Sequence, residues 1–156
     1  MVWSTVARIL KHRDDALDCC QDVFAEALRN RGREPVRDWG AYLRWLATRR
    51  AIDQLRQRQA RGGESSSAVQ VEELAAAATD DVSFNELVEV VRKELGSLPD
   101  RQAEAFWLVC VEERSYEEVA QEMGIDRNAL GVLVHRARQQ MRHRLRSLNP
   151  ATKSGR

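Results

Sequence analysis

Residues 115–138, SYEEVAQEMGIDRNALGVLVHRAR, spell two helices and the turn between them. Ser115, with Glu118 three positions on, forms a capping box. The hydroxyl accepts from a backbone N–H that no helix carbonyl can serve, and the carboxylate accepts from the N–H of Ser115 itself. Val119, Ala120 and Met123 make an apolar stripe, and Gly124 stops the helix where a left-handed backbone is required. Asp126 caps a second helix reaching at least Arg138. The pair predicts a helix-turn-helix, whose second helix is of the kind that enters the major groove of DNA.

Turning about 100° per residue, that second helix divides cleanly. Leu130, Leu133, Val134, Ala137 and Met141 share a narrow arc and are expected in the core. Asn128, Val132, His135 and Gln139 lie opposite. Arg127, Arg138 and Arg142 flank one side and Arg136 the other. Flanking cations suit phosphates, and central side chains can reach base edges. An ordinary amphipathic helix with a solvated basic face carries the same pattern, and the motif by itself does not separate the two.

The chain has 156 residues, 43% apolar and 31% charged, enough for one domain or two small ones. Few aromatics and few β-branched runs favour a largely helical protein. No apolar stretch is long enough to span a bilayer and no signal peptide opens the chain, so a cytoplasmic protein without membrane insertion is expected. Cys19, Cys20 and Cys110 form no C-x-x-C pair and have no histidine at metal-ligand spacing. They read as reduced, buried thiols, with no metal site.

A net charge of +1 conceals a pattern. Residues 1–61 carry thirteen Lys/Arg against eight Asp/Glu, a net +5; residues 62–128 carry five against sixteen, a net −11; residues 129–156 carry seven and no acid, a net +7. Two basic segments around an acidic one suggest two nucleic-acid surfaces with a repelling spacer. Residues 62–82, rich in Gly, Ser, Ala and acids, predict a flexible acidic linker. The expected organisation is a helical domain over 1–61, the linker over 62–82, a second helical domain over 83–149 and a disordered tail over 150–156. The predicted fold is therefore all-α.

In the first domain, residues 14–30 predict one helix with Asp14 or Asp15 at its cap. Leu17, Cys20, Phe24, Ala27 and Leu28 are expected on its core face. Residues 37–60 predict a long helix with Trp39, Leu43, Leu46 and Ala47 on one face and Trp45, Arg49, Ile52 and Arg56 on another. Arg50, Arg58 and Arg61 add positive charge. The second face could hold a nucleic-acid backbone and stack bases, or Trp45 and Ile52 could simply pack on a neighbour. In the second domain, Phe84, Leu87, Val88, Val91 and Leu95 predict a helix over 83–96, ended by Gly96. Pro99 opens the next, over 100–112, in its first turn.

Three segments together resemble the bacterial RNA polymerase sigma factors of the extracytoplasmic-function group, part of the sigma-70 family. DALDCCQDVFAEAL resembles that family's D-A-E-D-x-x-Q-E-x-F segment. YLRWLATRRAIDQLRQR resembles its W-L-x-x-I-A-x-N-x-x-I-D-x-x-R-R helix. LPDRQAEAFWLVCVEERSYEEVAQEMGIDRNALGVLVHRARQQM resembles its L-P-x-x-x-R, S-Y-x-E-I-A-x-x-L-G and H-R-A-R pattern. The resemblance implies sigma domain 2, then a linker, then sigma domain 4. It implies a promoter-recognition initiation factor that is not an enzyme, with no catalytic residues and no cofactor. Its partners would be core RNA polymerase, through the clamp helices of the largest subunit, promoter DNA, and an anti-sigma factor; it would be a monomer when free. Asp18, Gln21, Asp22 and Phe24 match the segment that docks on polymerase. Arg49, Asp53, Gln54 and Arg56 match the helix that meets and opens the minus-ten element, with Trp45 and Arg50 beside them. Arg127, Asn128, Gly131, Val132, His135 and Arg136 match the helix that meets the minus-thirty-five element, with Arg138 and Gln139 continuing its face.

The chain departs from the family pattern at several positions. Arg49 stands where the minus-ten helix commonly has Asn, and Ala103 replaces the Arg after L-P-x-x-x. Ala129, Gly131 and Leu133 replace the usual Thr, Lys and Arg of the recognition helix. Losing two cations weakens the electrostatic part of DNA binding, and Gly131 lowers helix propensity by about 1 kcal/mol against alanine. The family's first helix is also short here, with few residues ahead of Asp14. A dimeric repressor would need a dimerisation element that the chain does not offer, and it leaves the first domain unexplained. A protein-interaction module whose recognition helix no longer reads DNA is the other alternative.

Overall fold

The computed structural model describes residues 1–33, 35–62 and 82–148, with side chains described for 1–33, 35–62 and 89–146. Its regular structure is helix, no strand occurs among the described residues, and the chain divides into two compact units between Asp80 and Asp81. None of the described helices is long and apolar enough to cross a membrane. The expected linker over 62–82, apart from its two end residues, and the expected tail over 150–156 lie outside the described residues, as do the side chains of Phe84, Leu87 and Val88.

The first unit holds α1 (Val2–Ile9), α2 (Arg13–Asn30) and α3 (Trp39–Ala60), and α3 packs on both of the others. It begins where Asp38 caps it, the carboxylate accepting from the N–H of Ala41 at 3.0 Å. Small residues dominate the buried side of α3 (Ala41, Ala47, Thr48 and Ala51), with Leu46 and Ile52 filling the remaining volume. Such residues let two neighbouring helices approach one axis closely. The buried Thr48 hydroxyl is satisfied by donating to the Arg44 carbonyl at 2.9 Å. Val2, Val6, Ile9 and Leu10 supply the core from the α1 side.

The core face of α2 differs from the expectation. Ala16, Cys19, Val23 and Ala27 are its buried residues, while Leu17, Phe24 and Leu28 are exposed and Cys20 is half-buried. Both sets recur at helical spacing, and the smaller set faces inward because α2 lies close against an alanine-rich α3. Asp14 and Asp15 lie in the first turn, favourable to the helix dipole, but neither caps α2; His12 holds the cap position and makes no side-chain bond there. Ion pairs from Glu26 to Arg50 and from Asp15 to Arg58 join α2 to α3.

The second unit holds α4 (Val82–Leu95), α5 (Asp100–Phe106), α6 (Tyr116–Met123) and α7 (Arg127–Leu148), with α7 packed on α4, α5 and α6. Pro99 caps α5 rather than entering its first turn, and its carbonyl accepts from the N–H of Ala103 at 2.9 Å. The single helix expected over 100–112 is broken. Trp107–Val111 widen into π geometry, with Glu112 N–H donating back to the Trp107 carbonyl at 3.0 Å. That widening turns three consecutive apolar residues, Trp107, Leu108 and Val109, toward the interior. Trp107 Nε1 then donates to Glu112 Oε1 at 3.1 Å, so the indole is buried with its polar atom satisfied.

The helix-turn-helix forms as its sequence dictates. Glu118 N–H donates to Ser115 Oγ and Ser115 N–H to Glu118 Oε2, each at 3.3 Å. Gly124 adopts φ 63°, and Ala129 N–H donates to Asp126 Oδ1 at 2.9 Å. Removing the cap by Ser115→Ala is expected to destabilise the second unit by about 1 kcal/mol, measured by thermal or urea unfolding. In the first unit, burial pushes the Cys19 thiol up to about 12 and raises that of the half-buried Cys20 as well; Cys110, in the second unit, is half-buried. The thiolate is the reactive form, so a thiol reagent at pH 8 should modify Cys20 and Cys110 in the folded protein and reach Cys19 only on unfolding, as peptide mapping would report.

Candidate nucleic-acid interfaces

On α7 the inward residues are Leu130, Val134, Ala137 and Met141, all buried, with Leu133 half-buried at the margin. Asn128, Val132, His135, Arg136, Arg138 and Gln139 are exposed on the other side together with Arg127; Gly131 is half-buried among them. Val132 is 47% exposed, a branched apolar side chain in the middle of a polar and basic face. An open depression is lined by Tyr116, Arg127, Asn128, Gly131, Val132, His135 and Arg136. Six of these seven were expected from the sequence. Tyr116 was not, because its role depends on the first turn of α6 lying beside the start of α7.

Two of the arginines have partners within the chain. Arg127 lies over the Tyr116 ring, 6.0 Å from its centre, and its Nε is 3.0 Å from Glu117 Oε1. Arg138 Nε donates to Cys110 Sγ at 3.3 Å, and that bond raises its guanidinium pKa further. Exposed ion pairs of the Arg127–Glu117 kind contribute at most about 1 kcal/mol. A phosphate can therefore displace Glu117 at little cost.

Beneath this face, a paired Arg114 and Glu122 tie the approach to α6 against its last turn, both side chains nearly buried at 9% and 7% exposure. Desolvation works against the charged Arg114, but the bonds to Glu122 together with the charges of Glu122, Glu118 and Glu112 outweigh it, and its pKa is raised. Arg101 also donates to the Met123 carbonyl at 2.8 Å, serving a C-terminal carbonyl of α6 that the helix leaves open. These contacts hold α6 to α5 and to the segment that precedes it.

The α3 residues do not all share one face. Trp45, Arg49, Asp53 and Arg56 lie together, with the Arg49 guanidinium 5.6 Å from the centre of the Trp45 ring. Arg56 approaches Asp53 at 3.8 Å. Arg50 and Gln54 are turned about 140° and 180° away from Trp45 along the helix. Arg50 reaches α2, its Nε donating to Glu26 Oε2 at 2.6 Å, which raises its pKa. Ile52, left open between this face and packing on a neighbour, is buried in the core. Trp45 is half-buried, and its Nε1 has no hydrogen-bond partner among the described residues. Tyr42 extends the aromatic surface, its ring 6.0 Å from Trp45 and 5.9 Å from Trp39.

On α2, Asp18, Gln21, Asp22 and Phe24 are all exposed. With Leu17, Phe24 and Leu28 turned outward, Gln21 falls within an apolar stripe, Asp18 lies about 100° round the helix from Leu17 and Asp22 about 140°. Phe24 is 49% exposed and Leu28 68%. Helical spacing placed Leu17, Phe24 and Leu28 together on the core face, whereas all three are exposed; the resemblance alone gave Phe24 to a docking segment. Among the described residues, no cluster of His, Cys, Asp or Glu is arranged to hold a metal.

A family model described as Sigma-70 region 2 matches residues 1–61, and one described as Sigma-70, region 4 matches residues 89–141. Among solved structures, the chain is similar to the sigma factor RpoE of Bartonella quintana, crystallised in complex with the anti-sigma factor NepR. The identity is 21%, over 93% of this chain and 89% of that one, with a TM-score of 0.56. At that identity the likeness speaks to the fold. No curated protein matches the chain.

Glu122→Ala would leave the nearly buried Arg114 guanidinium without its hydrogen-bonded partner, with Glu118 at 4.0 Å as a more distant one. It is expected to destabilise the second unit by about 3 kcal/mol, far more than loss of an exposed pair, as denaturant unfolding would show.

Proposed function

The chain belongs to the sigma-70 family, in the two-region layout of its extracytoplasmic-function group, and is a promoter-recognition initiation factor; from that premise we propose which of its faces does what. The outer face of α2 docks on the clamp helices of the largest polymerase subunit. The observation that carries this is the exposed stripe of Leu17, Phe24 and Leu28, with Gln21 within it and the exposed Asp18 and Asp22 further round the same helix. Large apolar side chains grouped on a surface mark a partner site, and the aspartates add the complementary charge that fixes register.

Trp45 with Arg49, Asp53 and Arg56 engages the minus-ten element, an aromatic and guanidinium surface suited to bases released from the duplex. Arg50 and Gln54 belong to this helix but serve it from another side, Arg50 by holding α3 to α2 through Glu26. Asn128, Gly131, Val132 and His135, flanked by Arg127, Arg136, Arg138 and Gln139, meet the minus-thirty-five element in the major groove. The protein carries out no chemistry of its own and needs no cofactor, since phosphodiester synthesis belongs to the polymerase. It acts in the cytoplasm as a monomer when free. An anti-sigma factor restrains it, as the complex formed by the structural relative suggests.

Phe24→Ala is expected to leave thermal stability within about 0.5 kcal/mol, because the ring is half in solvent, yet to weaken retention on core polymerase at least tenfold in size-exclusion or pull-down assays. Undiminished retention by the folded variant would remove α2 from the polymerase interface. Arg127→Ala should weaken holoenzyme binding to all promoter fragments alike and lower the slope of log K against log salt by about 1, the signature of one lost phosphate contact.

A further inference from the structure

Gly131 sits well inside α7, where glycine is a poor helix former. The fold does not call for it. A Cβ at this position would meet no atom within 4 Å, and Gly131 is absent from the residues of positive φ. Neither close packing nor backbone conformation within the chain accounts for the missing side chain. Its effect is outward: the absence of a side chain opens a notch in the exposed face, part of the depression bounded by Tyr116, Arg127, Asn128 and His135, with the exposed Val132 beside it.

We propose that this notch receives the C5-methyl group of a thymine in the major groove, so that Gly131 and Val132 determine specificity at one base pair of the minus-thirty-five element. The proposal rests on the reading of α7 given above. In the major groove thymine alone presents a methyl group; the edges of the other bases offer donors and acceptors. A donor or acceptor placed against Val132 and a bare helix backbone would lose its water without gaining a partner. The methyl group loses nothing there and leaves water. Asn128 and His135 stand on either side, able to bond the polar edges of neighbouring bases. An alanine Cβ at 131 would fill the notch and hold the helix off the base.

The test uses holoenzyme, the full chain with core polymerase, on a promoter fragment recovered by run-off transcription from a genomic library. Each thymine of the minus-thirty-five element is replaced singly by deoxyuridine, which removes the methyl group alone, and binding is compared for the natural chain and Gly131→Ala. One replacement should weaken binding of the natural chain by about fourfold, the effect of one buried methyl. The same replacement should leave Gly131→Ala binding unchanged, while that variant unfolds at a higher temperature than the natural chain. The proposal is overturned if every deoxyuridine is tolerated by the natural chain, if the selected element has no thymine, or if the penalty persists undiminished in Gly131→Ala. Equal binding to a scrambled minus-thirty-five duplex would instead overturn the reading of α7 itself, and the notch with it.

Discussion

Leu130, Val134, Ala137 and Met141 recur every three or four residues along α7, and all four are buried where that helix packs on α4, α5 and α6. Rotating α7 by even half a turn would expose them and bury arginines, an exchange costing several kcal/mol on apolar area alone. The helix therefore has one rotational setting, and that setting presents Asn128, Val132, His135 and Gln139 to solvent. The helix before it is set separately, by the capping box at Ser115, the left-handed Gly124 and the buried Arg114–Glu122 pair. Position and orientation of the exposed face follow from packing beneath it.

The first unit solves a different problem with the same physics. Its central helix meets two neighbours, and small residues on α2 and α3 allow close approach. Close approach on one side leaves the larger side chains of α2 no room inside, so Leu17, Phe24 and Leu28 face outward. A surface of this kind costs solubility in a free chain, and it is intelligible when a partner covers it. The cross-helix pair of Glu26 and Arg50 then sets the facing of α2 relative to the aromatic and basic side of α3.

How much of this could be read from sequence depended on whether the local signal had a rival. The capping box, Gly124 and Asp126 have no plausible alternative reading, and the helix-turn-helix stands where they put it. On α2 two stripes at equal spacing competed, and size favoured the wrong one. The deciding quantity was the distance between α2 and α3, which no single segment encodes. The π turn at Trp107–Val111 was hidden for a related reason, because an uninterrupted apolar run carries no periodicity from which to detect a change of pitch. On α3 the facing of Arg50 was not legible, since it belongs to the α2 contact, and Ile52, which could have lain on a binding face or packed on a neighbour, belongs to the core. Tyr116 entered the α7 depression only once the turn angle was known.

Site-specific photocrosslinking within one assembled promoter complex is the most direct test that these faces meet different partners. A photoreactive residue at Leu28 should capture the largest polymerase subunit, and one at His135 should capture DNA near the minus-thirty-five position. Capture of DNA from Leu28, or of no DNA from His135 in a transcriptionally active complex, would contradict it.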